Sequence, residues 1–192
     1  MGEIKDYLKS HPLAENVTLK TVTVYEVAQA PAADTFADLA QESLADQDSI
    51  HLFVHFGVHS ASQVFLLEQV AWNEMNFRVP DQRGFQPTCQ PICPGDGSTL
   101  ENRTCGLPLT AINASLSTAC RYRGLPMVDL STDPGRFLCN YLYYISLAET
   151  SKHQNAHSLF VHVPPFEAIP KKEQLQFIHV LLSELCRSPC FC

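Results

Sequence analysis

The sequence lacks both a long apolar run and an excess of basic residues. No stretch approaches the roughly 18 consecutive apolar residues that a membrane-spanning helix needs, and the formal net charge is -7. A negatively charged chain is poorly suited to bind nucleic acid or an anionic membrane surface. The N-terminus also lacks a basic leader followed by an apolar segment, so we expect a cytosolic protein.

Cys-x-x-Cys pairs are also absent, although the chain has eight cysteines. Without a secretory leader we expect these thiols to be reduced. Two groups have spacings that zinc could use: Cys89 with Cys93, and Cys186 with Cys190 and Cys192. Neither group reaches the four ligands that a structural zinc site requires, so we expect no metal site.

The segments that are present alternate between strand-like and helix-like patterns. Hydrophobic residues make up 45% of the 192 residues, which suits one globular domain over residues 1–192. Strands are predicted at 17–27, 50–58, 125–131 and 158–165, and helices at 35–47, 109–124, 137–148 and 173–186. This alternation predicts an α/β layer fold around a largely parallel sheet. Residues 76–104 show little periodicity and predict a long loop.

Polar and reactive residues follow several of the predicted strands. Ligands in such folds bind at the carboxyl ends of the strands. Cys139 follows the Asp133-Pro-Gly turn and lies near the start of a predicted helix. The partial positive charge of a helix N-terminus favours a thiolate, which is the nucleophilic form of cysteine. The alternative is an inert buried thiol, since free cysteine is among the most buried residue types.

Histidine and glutamate side chains inside apolar segments are further candidates. His162 lies in a predicted strand and could act as general base towards a thiol, or be a core histidine. Glu68 lies in another apolar stretch and could orient an imidazole, or lie on a solvated strand edge. The set of His51, His55 and His59 shares one face of a strand. His51 and His55 would be about 13 Å apart, too far to share a metal ion, so we interpret all three as structural.

Four blocks of the sequence resemble the pyroglutamyl-peptidase I family of cysteine peptidases. HFGVHSASQVFLLEQVAWN (55–73) resembles the segment with the catalytic glutamate, at Glu68. DPGRFLCNYLYY (133–144) resembles the nucleophile segment, at Cys139, and LFVHVPPF (159–166) resembles the histidine strand, at His162. NFRVPDQRGFQP (76–87) resembles a stretch near the active site, with Arg78 at the matching position.

The resemblance implies a three-layer α/β/α sandwich with a mostly parallel central sheet. It implies removal of an N-terminal pyroglutamate from peptides through an acyl-enzyme, with no metal or organic cofactor. Cys139 would attack the carbonyl carbon, His162 would transfer the proton, and Glu68 would orient His162. The substrate-binding residues implied are Phe137 and Leu138 at the pocket for the lactam ring, Trp72 beside it, and Arg78.

Two segments depart from the family pattern. Residues 1–16 resemble neither the family's first strand nor its Gly-Phe-Gly-Pro-Phe loop, so we expect that strand and loop to be missing. Residues 84–105 carry additional proline and cysteine. These departures motivate an alternative hypothesis, in which the chain is a catalytically impaired relative with a binding or regulatory role.

Overall fold

A computed structural model describes residues 2–188 of the protein. The helices of this part are α1 (Gly2–Ser10), α2 (Gln29–Leu44), α3 (Leu109–Arg123), α4 (Leu138–Thr150) and α5 (Lys171–Cys186). Its strands are β1 (His51–Val58), β2 (Phe65–Glu68), β3 (Val70–Trp72), β4 (Asn102–Thr104), β5 (Val128–Ser131) and β6 (Ala156–Val163).

Four of these strands form the central sheet, in the order β1-β6-β2-β5. β1 pairs with β6 and β2 pairs with β5 in parallel, whereas β2 and β6 are antiparallel. β3 and β4 form a separate antiparallel pair. The sheet is therefore mostly parallel, and the predicted α/β class is confirmed.

The helices cover both faces of the sheet. On one face, Phe36 of α2 packs against Phe53 of β1, and Ser146 of α4 contacts His55. On the other face, Phe177 of α5 stacks on Phe65 of β2, and α3 packs against α5 and β5. The apolar core between these layers is centred on β2, β6, α3 and α5.

Local sequence sets the ends of the helices that matter for the site. α3 ends at Arg123, and the next residue, Gly124, has a left-handed φ of 66° and an N–H that bonds back to the last turn; glycine adopts this conformation without steric cost. α4 starts after a turn in which Gly135 has φ 75° and donates its N–H to the Asp133 carboxylate. The Asp81 carboxylate accepts a hydrogen bond from the N–H of Gln29 at the start of α2.

The strand predicted at 17–27 is wrong. These residues form no strand, and their side chains are half-buried or exposed. β-branched residues favour strands only where a neighbouring strand and a covering face are available. Here Tyr25 packs instead against the cluster around Phe36, and the chain continues directly into α2.

β1 is also less buried than its apolar sequence predicts. Within residues 2–188 it pairs only with β6, so it lies at the edge of the sheet. Only His51 and His55 of this strand are buried. Within this range no strand precedes β1, and residues 2–16 contribute α1, which contacts α5.

The described residues contain neither a helix able to span a membrane nor a metal-binding cluster. No helix in the described part is both long and apolar enough to span a bilayer. Nor does that part contain a group of three or more His, Cys, Asp or Glu residues arranged to hold a metal ion. Cys190 and Cys192, considered as zinc ligands above, lie outside the described residues.

Candidate active site

The pairing of three strands brings Glu68 and His162 to one face of the sheet. His162 lies opposite Gly57 on β1 and opposite Leu66 on β2. Residues paired across a sheet point to the same face, and so do residues two apart on one strand. Glu68, two residues after Leu66, therefore shares its face with His162.

Glu68 is completely buried and contacts the imidazole directly. Its Oε1 lies 2.7 Å from Nδ1 of His162, and its main-chain carbonyl accepts a hydrogen bond of 2.9 Å from the Tyr143 hydroxyl. With Nδ1 of His162 engaged, Nε2 is the ring nitrogen left for another partner.

Cys139, the second residue of α4, lies next to His162. Burial opposes a charge on the His162 ring, but hydrogen bonding and charge interactions with Cys139 and Glu68 outweigh burial and raise the pKa of His162 to about 9. At neutral pH His162 therefore holds its proton. A protonated imidazole beside a thiol favours the thiolate form.

Gly57 brings the backbone of β1 against the thiol. A Cβ atom at this position would lie 2.9 Å from the Cys139 Sγ and 2.9 Å from the Phe160 ring. Such contacts are too short for any larger residue without movement of a neighbour. Three elements thus surround the thiol: α4, the β1 backbone and His162 on β6.

Comparisons with known proteins identify the family of the chain. A sequence profile of the family described as pyroglutamyl peptidase matches residues 13–178. The chain belongs to the pyroglutamyl peptidase family. The matched range includes Glu68, Cys139 and His162.

Several curated relatives of the family are similar to the chain. A human pyroglutamyl-peptidase 1-like protein is 29% identical over 70% of this chain and 62% of its own length. A pyrrolidone-carboxylate peptidase of Clavibacter michiganensis is 28% identical over 66% of this chain and 55% of its own length. A pyrrolidone-carboxylate peptidase of Pyrococcus furiosus is 31% identical over 58% of this chain and 50% of its own length. The matched part thus spans between half and two thirds of these relatives.

Solved pyroglutamyl peptidase structures share the fold. The pyrrolidone carboxyl peptidase of Fervidobacterium islandicum superposes with a TM-score of 0.78 at 19% identity, covering 97% of this chain and 90% of its own. A mutant pyrrolidone carboxyl peptidase of Pyrococcus furiosus superposes with a TM-score of 0.69 at 24% identity, covering 85% of this chain and 80% of its own.

Two side chains that sequence reasoning missed hold the candidate site in place. Asn140 is fully buried; it accepts the N–H of Trp72 and donates to the carbonyls of Trp72 and Glu74. Tyr143, a residue of α4, donates a hydrogen bond from its hydroxyl to the Glu68 carbonyl. In the sequence, the position of Asn140 directly after Cys139 is only a weak indication of such a role. Gly57 is a better indication of the site, since a glycine inside an apolar strand often marks a close approach of the backbone to another group.

Three of the four predicted substrate-binding residues lie at the start of α4 or contact its first turn. Phe137 is half-buried, with its ring 4.7 Å from that of Phe77, and Leu138 is buried in the same apolar cluster. Trp72 donates its indole N–H to the Thr132 carbonyl, and Arg78 is exposed after β3. Their roles towards substrate stay predictions.

The two histidines on β1 have structural partners. His51 Nε2 lies 2.7 Å from the Asp46 carbonyl. His55 Nε2 lies 2.9 Å from the Ser146 hydroxyl, and burial lowers the pKa of His55 to about 4. His55 is therefore neutral at physiological pH. The third histidine, His59, directly follows β1.

Replacing Gly57 with alanine is expected to reduce activity by about 10²-fold, because displacing the thiol by an ångström misaligns it with His162. Phe160, 2% exposed, has no room to retreat, so the Cys139 side chain must move. The measurement is the rate of Cys139 alkylation at about pH 6 together with substrate turnover. Gly106→Ala, where an added Cβ meets nothing within 4 Å, is the matched control. Unchanged alkylation in Gly57→Ala would contradict the expectation.

The raised pKa of His162 also predicts how stability depends on pH. Because the folded-state pKa is about 9 and the ordinary value is 6.5, the interactions of His162 stabilise the protein fully below about pH 6.5. This contribution, on the order of 3 kcal/mol, is lost as the pH rises through about 9. Urea unfolding of wild type and of His162→Phe, at about pH 6.5 and at about pH 9, measures this contribution. A stability difference that is the same at both pH values would contradict the prediction.

Proposed function

We propose that the protein is a cysteine exopeptidase that removes pyroglutamate from the N-terminus of peptides. The observation that carries this proposal is the contact of buried Glu68 with His162, next to Cys139, in a chain of the pyroglutamyl peptidase family. The relatives named pyrrolidone-carboxylate peptidase support the same substrate class.

In the proposed mechanism the Cys139 thiolate attacks the carbonyl carbon of the pyroglutamyl residue. The resulting oxyanion lies near the first turn of α4, whose main-chain N–H groups lack partners within the helix. Protonated His162 gives its proton to the leaving amine as the C–N bond breaks, leaving a thioester on Cys139. Water then attacks the thioester while His162 accepts its proton, and pyroglutamic acid leaves with regeneration of the thiolate.

Glu68 keeps the imidazole of His162 in the orientation that this sequence of steps requires. Its contact with Nδ1 leaves Nε2 for the thiol, the leaving amine and the water in turn. The site offers no support for the alternative that the chain is an impaired binding relative, since Glu68, His162 and Cys139 are all present and adjacent.

The cytosolic location is part of the proposal. Cys89 and Cys93 in the long loop are free thiols. Free thiols suit a reducing compartment, in which a nucleophilic Cys139 would also stay reduced.

The decisive experiment compares three aryl amides as substrates of the purified protein: pyroglutamyl, prolyl and alanyl. A site specific for the neutral lactam should favour the pyroglutamyl substrate by about 10²-fold or more, because the charged amines of the other two would be desolvated without a partner. Equal rates, or no hydrolysis of the pyroglutamyl amide, would refute the proposal.

A further inference from the structure

His59 directly follows β1, at the end of a row of residues that face α4. The row follows the two-residue period of the strand. His55 contacts Ser146 in the body of α4, and Gly57 lies against Cys139 at the start of the helix. His59 continues the same two-residue period, directly after the last residue of β1. It thus lies two residues beyond Gly57, which meets the thiol.

Contacts on both sides fix the position of His59. Its main-chain N–H donates to the carbonyl of Val163, at 2.9 Å, and its own carbonyl accepts from Ser62 at 3.0 Å. Its ring lies 5.6 Å from the ring of His162, nearly perpendicular at 83°. The ring is therefore held beside the imidazole that would protonate the leaving group.

The Nδ1 atom of His59 is buried and has no hydrogen-bond partner among residues 2–188. Buried polar atoms in folded proteins nearly always have a partner, from the protein, from water or from a ligand. For a ring in contact with His162, a substrate bound at Cys139 is within reach to be that partner. His51 and His55 differ in that the Nε2 atom of each lies within hydrogen-bond distance of a protein oxygen.

We propose that His59 binds the leaving side of the substrate, with Nδ1 hydrogen-bonded to a main-chain amide group of the peptide beyond the scissile bond. The inference rests on the proposed function, in which His162 delivers its proton to the leaving amine. The space next to His162 then belongs to the leaving peptide, whereas the lactam ring is assigned to the Phe137 side. A main-chain amide offers both a donor and an acceptor, so either tautomer of His59 can bind it.

This assignment makes peptides the preferred substrates over amides that have no peptide bond after the scissile one. The test compares kcat/KM for a pyroglutamyl tripeptide amide with kcat/KM for a pyroglutamyl aryl amide. In His59→Phe, which keeps a ring against His162 but loses Nδ1, the ratio of the two values is expected to fall about tenfold, the effect of one hydrogen bond.

Two further variants separate hydrogen bonding from packing. His59→Asn places an amide group near the position of Nδ1 and is expected to restore the ratio to within about threefold of wild type. Ser60→Ala, at the exposed neighbouring residue, is the matched control and should keep the wild-type ratio. A His59→Phe variant that lowers both kcat/KM values equally, or neither, would overturn the inference.

A binding measurement distinguishes failure of this inference from failure of the proposed function. In the Cys139→Ala background, calorimetry should show about tenfold weaker binding of the tripeptide amide when His59 is also changed to Phe. If wild type hydrolyses no pyroglutamyl substrate, the proposed function fails while this measurement still reports on His59. Absence of binding, or equal affinity with and without His59, would overturn the assignment.

Discussion

Replacing Cys139 with alanine is expected to lower kcat/KM for a pyroglutamyl amide by about 10⁴-fold or more, because no other group can form the thioester. Cys139 is the thiol that His162 contacts, and its interactions help raise the pKa of His162 to about 9. The same variant should therefore lower the pKa of His162 towards its ordinary value. Turnover measures the first effect, and NMR titration of the imidazole measures the second.

The matched control for Cys139 is another thiol of the same chain. Cys89 is exposed in the long loop and lies outside the candidate site, so Cys89→Ser should retain wild-type activity. Site-resolved alkylation near pH 6 adds a second comparison, since only a thiolate reacts quickly there. Activity that persists in Cys139→Ala, or alkylation of Cys139 no faster than that of Cys89, would refute the assignment of the nucleophile.

Replacing Glu68 with glutamine is expected to lower kcat by about 10²- to 10⁴-fold while leaving the fold intact. Glutamine has nearly the same shape, but its amide is neutral and can present a donor to Nδ1 of His162. The imidazole then loses the carboxylate that supports its charge and orientation. Since Glu68 is fully buried, water cannot replace the lost partner.

The control for Glu68 is Glu149→Gln at the far end of α4, where the carboxylate pairs with Lys152 on the surface. This variant should behave as wild type in turnover, because surface ion pairs contribute little. Circular dichroism and urea unfolding establish that both variants fold. A folded Glu68→Gln enzyme with undiminished kcat would show that the contact with His162 has no part in catalysis.

Elements with strong local signals could be predicted from the sequence. The helix at 109–124 carries an apolar face and a glycine stop, and α3 ends before Gly124 as expected. The strand at 158–165 ends at a pair of prolines, and β6 ends at Val163 immediately before them. In both cases the residues that define the element lie within the element or directly beside it.

Segments that depend on distant neighbours could not be predicted in this way. Residues 17–27 have the composition of a strand, but strand formation requires hydrogen bonds to another strand, and these residues have no place in the sheet. The edge position of β1 is likewise a property of the strand order. That Nδ1 of His59 is buried without a hydrogen-bond partner can likewise be known only from the groups that surround it in the folded chain.

The sequence alone determined which reactive residues are available and which family the chain resembles. The α/β class also followed from it, since alternating periodicities are local properties. The tertiary structure decided that Glu68 and His162, 94 residues apart, are in contact, and that Gly57 admits the Cys139 thiol. The physical reason is the pairing of β6 with both β1 and β2, which sets these side chains on one face beneath the start of α4.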